Sequence, residues 1–108
     1  MNISDITQSR EDFHLLQTTG RTQIATITLK QGEVTSEDMN KHPHSDQTVL
    51  VLEGEFVAEV GEERQTVRRG QCLIIPAAVA HRLKNEAETT AFAFTIYAPP
   101  AYEVDDVH

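Results

Sequence analysis

Short apolar stretches broken by glycine or by polar pairs run through the length of this chain, and their period is that of β-strands. Arg21 to Leu29 alternates cleanly, with Ala25, Ile27 and Leu29 on one face and Ile24, Thr26 and Thr28 on the other. Gln47 to Leu52 and Glu55 to Val60 flank Glu53-Gly54, which predicts a hairpin, and Gly61-Glu62 predicts a second turn into Arg64 to Arg69. Cys72 to Ile75 is an unbroken apolar run between Gly70 and Pro76, the pattern of a strand buried on both faces. Ala80 to Lys84 and Thr90 to Tyr97 complete the set, with Phe92, Phe94 and Ile96 forming one strongly apolar face. No amphipathic helical period stands out, and neither an internal repeat nor a low-complexity segment is present. The expectation is a single all-β domain.

Composition sharpens this reading. A chain of 108 residues suits one domain with one core. Its apolar content is mostly Val, Ile, Leu and Ala, with no Trp, as expected where branched side chains fill a barrel. The lone cysteine, Cys72, rules out an internal disulfide and agrees with a reducing compartment; a role for it as a small buried apolar residue is expected. No charged-then-apolar leader and no apolar run long enough to span a bilayer is seen, so a cytoplasmic protein without membrane partners is expected. A net charge of −8 opposes nucleic-acid binding, because affinity for phosphate backbones comes largely from Lys and Arg.

Candidate chemistry lies in the histidines. His42 and His44 flank Pro43, and in an extended segment residues two apart point the same way, so both imidazoles are expected to reach one ion. His81 follows the Gly-bounded apolar run, and Gln47 stands between the two groups. Imidazole suits Zn, Fe, Ni, Cu or Mn, and three of them leave positions open for an amide oxygen and a substrate. Gln47 either ligates directly or hydrogen-bonds a water beside the ion. A neutral amide leaves the full charge of a divalent ion uncancelled, which predicts a preference for small anionic oxygen compounds at the open positions. His14 reads as a surface or core residue. Glu33, Glu37 and Asp38 read as a solvated loop that could overhang the site.

The motifs resemble those of a small single-domain cupin. Gly70, Pro76, His81 and Asn85 fall at the spacings of that family's second motif, and Ala78 stands where glycine is usual. In the first motif His42, His44 and Gly54 match, and Gln47 holds the place of the family's glutamate, seven before Gly54. Only two residues separate Gln47 from His44, where the family has three or four, and the loop that follows Gly32 is longer than usual. The resemblance implies a double-stranded β-helix, the jelly-roll barrel, over residues 13–98; the polar residues 1–12 read as an arm and residues 99–108, with their acidic end, as a tail. It also implies one divalent transition metal (Zn, Fe, Ni or Mn) on His42, His44, Gln47 and His81, and a structural role for Asn85.

Two functional classes follow. One is an enzyme using the metal as Lewis acid or dioxygen activator on a small oxygenated, anionic compound, in the manner of metal-dependent dioxygenases or sugar and sugar-acid isomerases. The other is a non-catalytic ligand-binding or sensing domain. A homodimer is expected in both cases, through the polar arm and outward residues such as Leu50 and Leu52 or Phe92 and Phe94.

Overall fold

The computed structural model describes residues 1–7 and 12–103. Among these there is no helix; eight strands are built, β1 (Phe13–Thr18), β2 (Gln23–Leu29), β3 (Asp46–Glu53), β4 (Glu55–Val60), β5 (Glu63–Arg68), β6 (Cys72–Ile75), β7 (His81–Lys84) and β8 (Ala91–Ala98). They form a five-stranded sheet in the order β1-β2-β8-β3-β6 and a three-stranded sheet in the order β5-β4-β7, and the paired strands described are antiparallel. No helix among the described residues is long and apolar enough to cross a membrane.

The expected strands form within a residue or two of their predicted bounds, and β1 is an addition to them. Its apolar signal is confined to Phe13, Leu15 and Leu16 among polar neighbours, and pairing with β2 supplies the backbone partners that hold it. Residues Ala25, Ile27 and Leu29 of β2 are buried together, as their alternation predicts. Ile27 and Leu29 pack in a core with Val49, Val51, Phe56, Ala58, Val67, Ile75, Leu83, Ala91 and Ala93.

Two expectations are corrected. β6 is not buried on both faces: Cys72 is exposed, Ile74 keeps 64% of its surface in solvent, and only Ile75 is fully buried. β6 pairs with β3 alone at an edge of its sheet; Leu73 and Ile75 turn to the core, while Cys72 and Ile74 alternate onto the outer face and meet solvent. Phe92 is not an outward residue available to a partner; it is buried at 2% exposure, whereas Leu50, Leu52 and Phe94 are half-buried.

Ala78, at the position where glycine was expected, has φ of 68°. Its amide donates to the His42 carbonyl at 2.9 Å, so the left-handed turn ties the segment before β7 to the segment before β3. A Cβ in that conformation costs roughly 1–2 kcal/mol, of which glycine's extra unfolded-state freedom would return part. Ala78→Gly is therefore expected to stabilise the fold by about 0.5–1 kcal/mol in urea unfolding. A loss of stability would show that the alanine methyl makes a contact worth more than the strain.

Candidate functional site

Three strands bring glutamines and a tyrosine side by side. Tyr97 of β8 is paired with Gln23 of β2 on one side and with Gln47 of β3 on the other, so the three side chains share a face. Gln47 is buried; its amide nitrogen donates to the Thr95 hydroxyl at 3.0 Å and to the Tyr97 hydroxyl at 3.2 Å. Its Oε1 is buried and has no hydrogen-bond partner.

His42 and His81 arrive from a different direction. Asn40 forms an isolated bridge with His81, each backbone amide donating to the other's carbonyl at 2.7 Å. This places the segment before β3 against the start of β7, with the His42 and His81 rings 5.1 Å apart and tilted by 47°. His81 Nδ1 lies 3.0 Å from the Val79 carbonyl. A carbonyl only accepts, so Nδ1 carries the proton and, in the neutral ring, Nε2 keeps its lone pair. Burial first, and the neighbouring His81 second, hold the His42 pKa below its ordinary value.

His42, Gln47 and His81 line a cavity of about 250 Å³, together with Asp12, Phe13, Ile27, Thr35, Asn40, Leu83, Tyr97 and Tyr102. Burial, with a smaller contribution from Tyr102, raises the Tyr97 pKa far above that of a free phenol, so its hydroxyl stays protonated.

Of the expected ligand set, His42, Gln47 and His81 meet at this cavity and His44 does not. The chain bends at Pro43 and His44, and the His44 side chain is exposed. The inward pair two apart is Asn40 and His42, because the bridge to His81 imposes strand alternation there. Pro43 has no amide proton to continue the ladder, so the alternation stops before His44. Spacing carried this signal: four residues separate His42 from Gln47, within the family's three or four, and Asn40 then takes the first histidine's place. Sequence reasoning also missed Asp12, Thr35 and Tyr102, which reach the cavity only through folding. Glu33 caps the Lys30 amide at 2.7 Å, and Glu33, Glu37 and Asp38 are absent from the lining. Among the described residues no group of three or more His, Cys, Asp or Glu side chains is placed to hold a metal.

The depressed His42 pKa has a stability consequence. The unfolded chain takes up this proton more readily than the folded one, so the contribution is complete above the ordinary pKa of about 6.5 and is lost as pH falls through the lower folded value. Thermal unfolding between pH 7 and 5 is expected to show a midpoint that falls with pH. In His42→Gln that slope should shrink by up to one proton, at most about 1.4 kcal/mol per pH unit. An unchanged slope would assign the dependence to other groups.

Two antiparallel sheets with imidazoles and amides gathered in a cavity between them define a small β-barrel. The chain matches the cupin domain family over residues 25–97 and belongs to it. Its structure is similar to that of TT1209 from Thermus thermophilus, with 26% identity and a TM-score of 0.82 over 92% of this chain and 98% of that one. A conserved Klebsiella pneumoniae protein with a double-stranded β-helix domain superposes with a TM-score of 0.73 at 19% identity, over 82% of this chain and 76% of the other, which supports the expected barrel class. The uncharacterised protein L612 of Acanthamoeba polyphaga mimivirus is 29% identical over 84% of this chain and 60% of its own length. The chain spans only 60%, 61% and 51% of the curated relatives it matches.

Proposed function

We propose that the cavity is a small-molecule site organised around one divalent transition metal (Zn, Fe, Ni or Mn) held by His42, His81 and Gln47, and that it receives a small anionic oxygen compound. The observation carrying this reading is the buried, unpartnered Gln47 Oε1 beside two imidazoles. A buried acceptor without a partner costs about 1–3 kcal/mol, and a cation or a donor group relieves that cost. The donor set fits a borderline metal: His81 is fixed with Nε2 free, burial favours neutral His42, and Gln47, its nitrogen bonded to Thr95 and Tyr97, turns its oxygen away from them. His44, exposed and outside the lining, has no place in this set. A bound metal would supply Lewis acidity or, if it is iron, dioxygen activation. All three protein donors are neutral, so an anion is the favoured occupant of the remaining positions.

Within the class, isomerase-like or dioxygenase-like turnover competes with simple binding or sensing. Tyr97 is held protonated, and Asp12, the carboxylate lining the cavity, is exposed at its edge. Acid–base groups inside the cavity are therefore few, which favours either binding or chemistry carried by the metal alone.

Gln47→Glu tests the arrangement. A carboxylate there would accept from the Thr95 and Tyr97 hydroxyls and add a negative charge beside the ion. The Coulomb gain reaches a few kcal/mol at an effective protein dielectric, reduced by desolvation of the new charge. Titration calorimetry should show about tenfold or more tighter Zn(II) binding, with weaker acetate binding to the loaded protein. Equal affinities in wild type and variant would place Gln47 away from the metal.

A further inference from the structure

The segment following β8 does not leave the barrel. Gln23 is fully buried, and its Oε1 accepts from the amides of Ala101 at 3.2 Å and Tyr102 at 3.1 Å. Its Nε2 donates to the Tyr102 carbonyl at 3.0 Å and to the Thr18 hydroxyl at 3.1 Å. A primary amide has two donors and an oxygen with two acceptor sites, so this side chain is fully satisfied, and three of its four bonds go to two residues outside any strand. The clamp turns the Tyr102 ring into the cavity. It packs 5.0 Å from Phe13, 5.3 Å from Tyr97 and 5.4 Å from His42, and it lines the space that His42, Gln47 and His81 share.

We propose that Tyr102 is a specificity-determining wall of the cavity, limiting the size of the ligand admitted beside His42, and that Gln23 is the positioning residue that holds it there. This rests on the small-anion reading above. Tyr102 sits edge-on to His42 and against Phe13, so a ligand approaching the imidazole on that side meets the phenol ring first. A compact carboxylate fits beneath it; a bulky one needs the volume the ring fills.

The test compares two carboxylates, acetate and adamantane carboxylate, by calorimetry on the Zn(II)-loaded protein. Wild type should prefer acetate. In Tyr102→Ala and Gln23→Ala the affinity ratio should shift toward the bulky ligand by about tenfold or more, while Tyr102→Phe, which keeps the ring, should stay near wild type. Both probes carry the same charged group, so a change in metal loading alone moves them together and leaves the ratio intact. An unchanged ratio in Tyr102→Ala overturns the proposal. If wild type binds neither metal nor carboxylate, the function proposed above fails, and the wall is judged by nuclear Overhauser contacts of the Tyr102 ring in the metal-free protein. In wild type the Tyr102 ring should show contacts to the Phe13 and His42 rings, and Gln23→Ala should lose them. Absence of those contacts in wild type, or their persistence in a folded Gln23→Ala, overturns the placement of Tyr102.

Discussion

His81→Ala should lose divalent metal binding, with an affinity at least about 100-fold below wild type, because it removes one of two imidazoles from a three-donor set. The reference is the wild-type protein titrated with Zn(II), Ni(II), Fe(II) and Mn(II). A metal present at 100 times its dissociation constant stabilises the folded state by about 2.7 kcal/mol, which in a domain of this size raises the unfolding temperature by roughly 10–20 °C. That shift should vanish in His81→Ala and in His42→Ala. His44→Ala should keep it in full, since His44 is exposed and does not line the cavity. This control separates the arrangement seen in the fold from the one the His-Pro-His spacing suggests. A wild-type protein whose stability responds to none of the four metals would refute the metal reading.

The largest stability effect is expected at Phe56. It has no solvent-exposed surface and packs in the core between the two sheets. Truncating a buried phenylalanine to alanine typically costs about 3–5 kcal/mol, from lost transfer free energy and the cavity left behind. Small domains are stable by only about 5–15 kcal/mol, so Phe56→Ala should lower the unfolding midpoint by on the order of 20 °C. Thermal unfolding followed by circular dichroism would measure that shift, and urea unfolding the free energy lost. Ile74→Ala is the comparison, because Ile74 is 64% exposed and should change stability by less than about 0.5 kcal/mol. Similar costs at the two positions would mean that the edge of β6 is covered in solution.

Most of the barrel was legible along the chain, because strand alternation and turn chemistry are local. The faces of β2, the hairpin glycines at Gly54 and Gly61 and the bounds of β4 and β6 required no knowledge of distant residues. β6 was placed correctly yet its burial was misread: an apolar run looks the same in a central strand and in an edge strand, and only the sheet order distinguishes them. β1 was missed because its polar residues outweigh its apolar ones, and its pairing with β2 overrides that weak pattern.

The candidate site divides along the same line. His42, Gln47 and His81 could be named from residue type and spacing, because that spacing reflects how far apart strands deliver side chains to one end of a barrel. His44 could not be excluded that way. Its exposure follows from the bend at Pro43 and from the bridge between Asn40 and His81, a contact between residues forty-one positions apart. Asp12 and Tyr102 lie near opposite ends of the chain, and each reaches the cavity only once β1 has paired with β2 and Gln23 has captured the segment after β8. The sequence alone therefore determined the all-β fold, the barrel class and three of the residues gathered at the cavity. The tertiary structure decided which neighbours complete the site, because hydrogen bonds and ring contacts between distant segments depend on geometry that no local pattern contains.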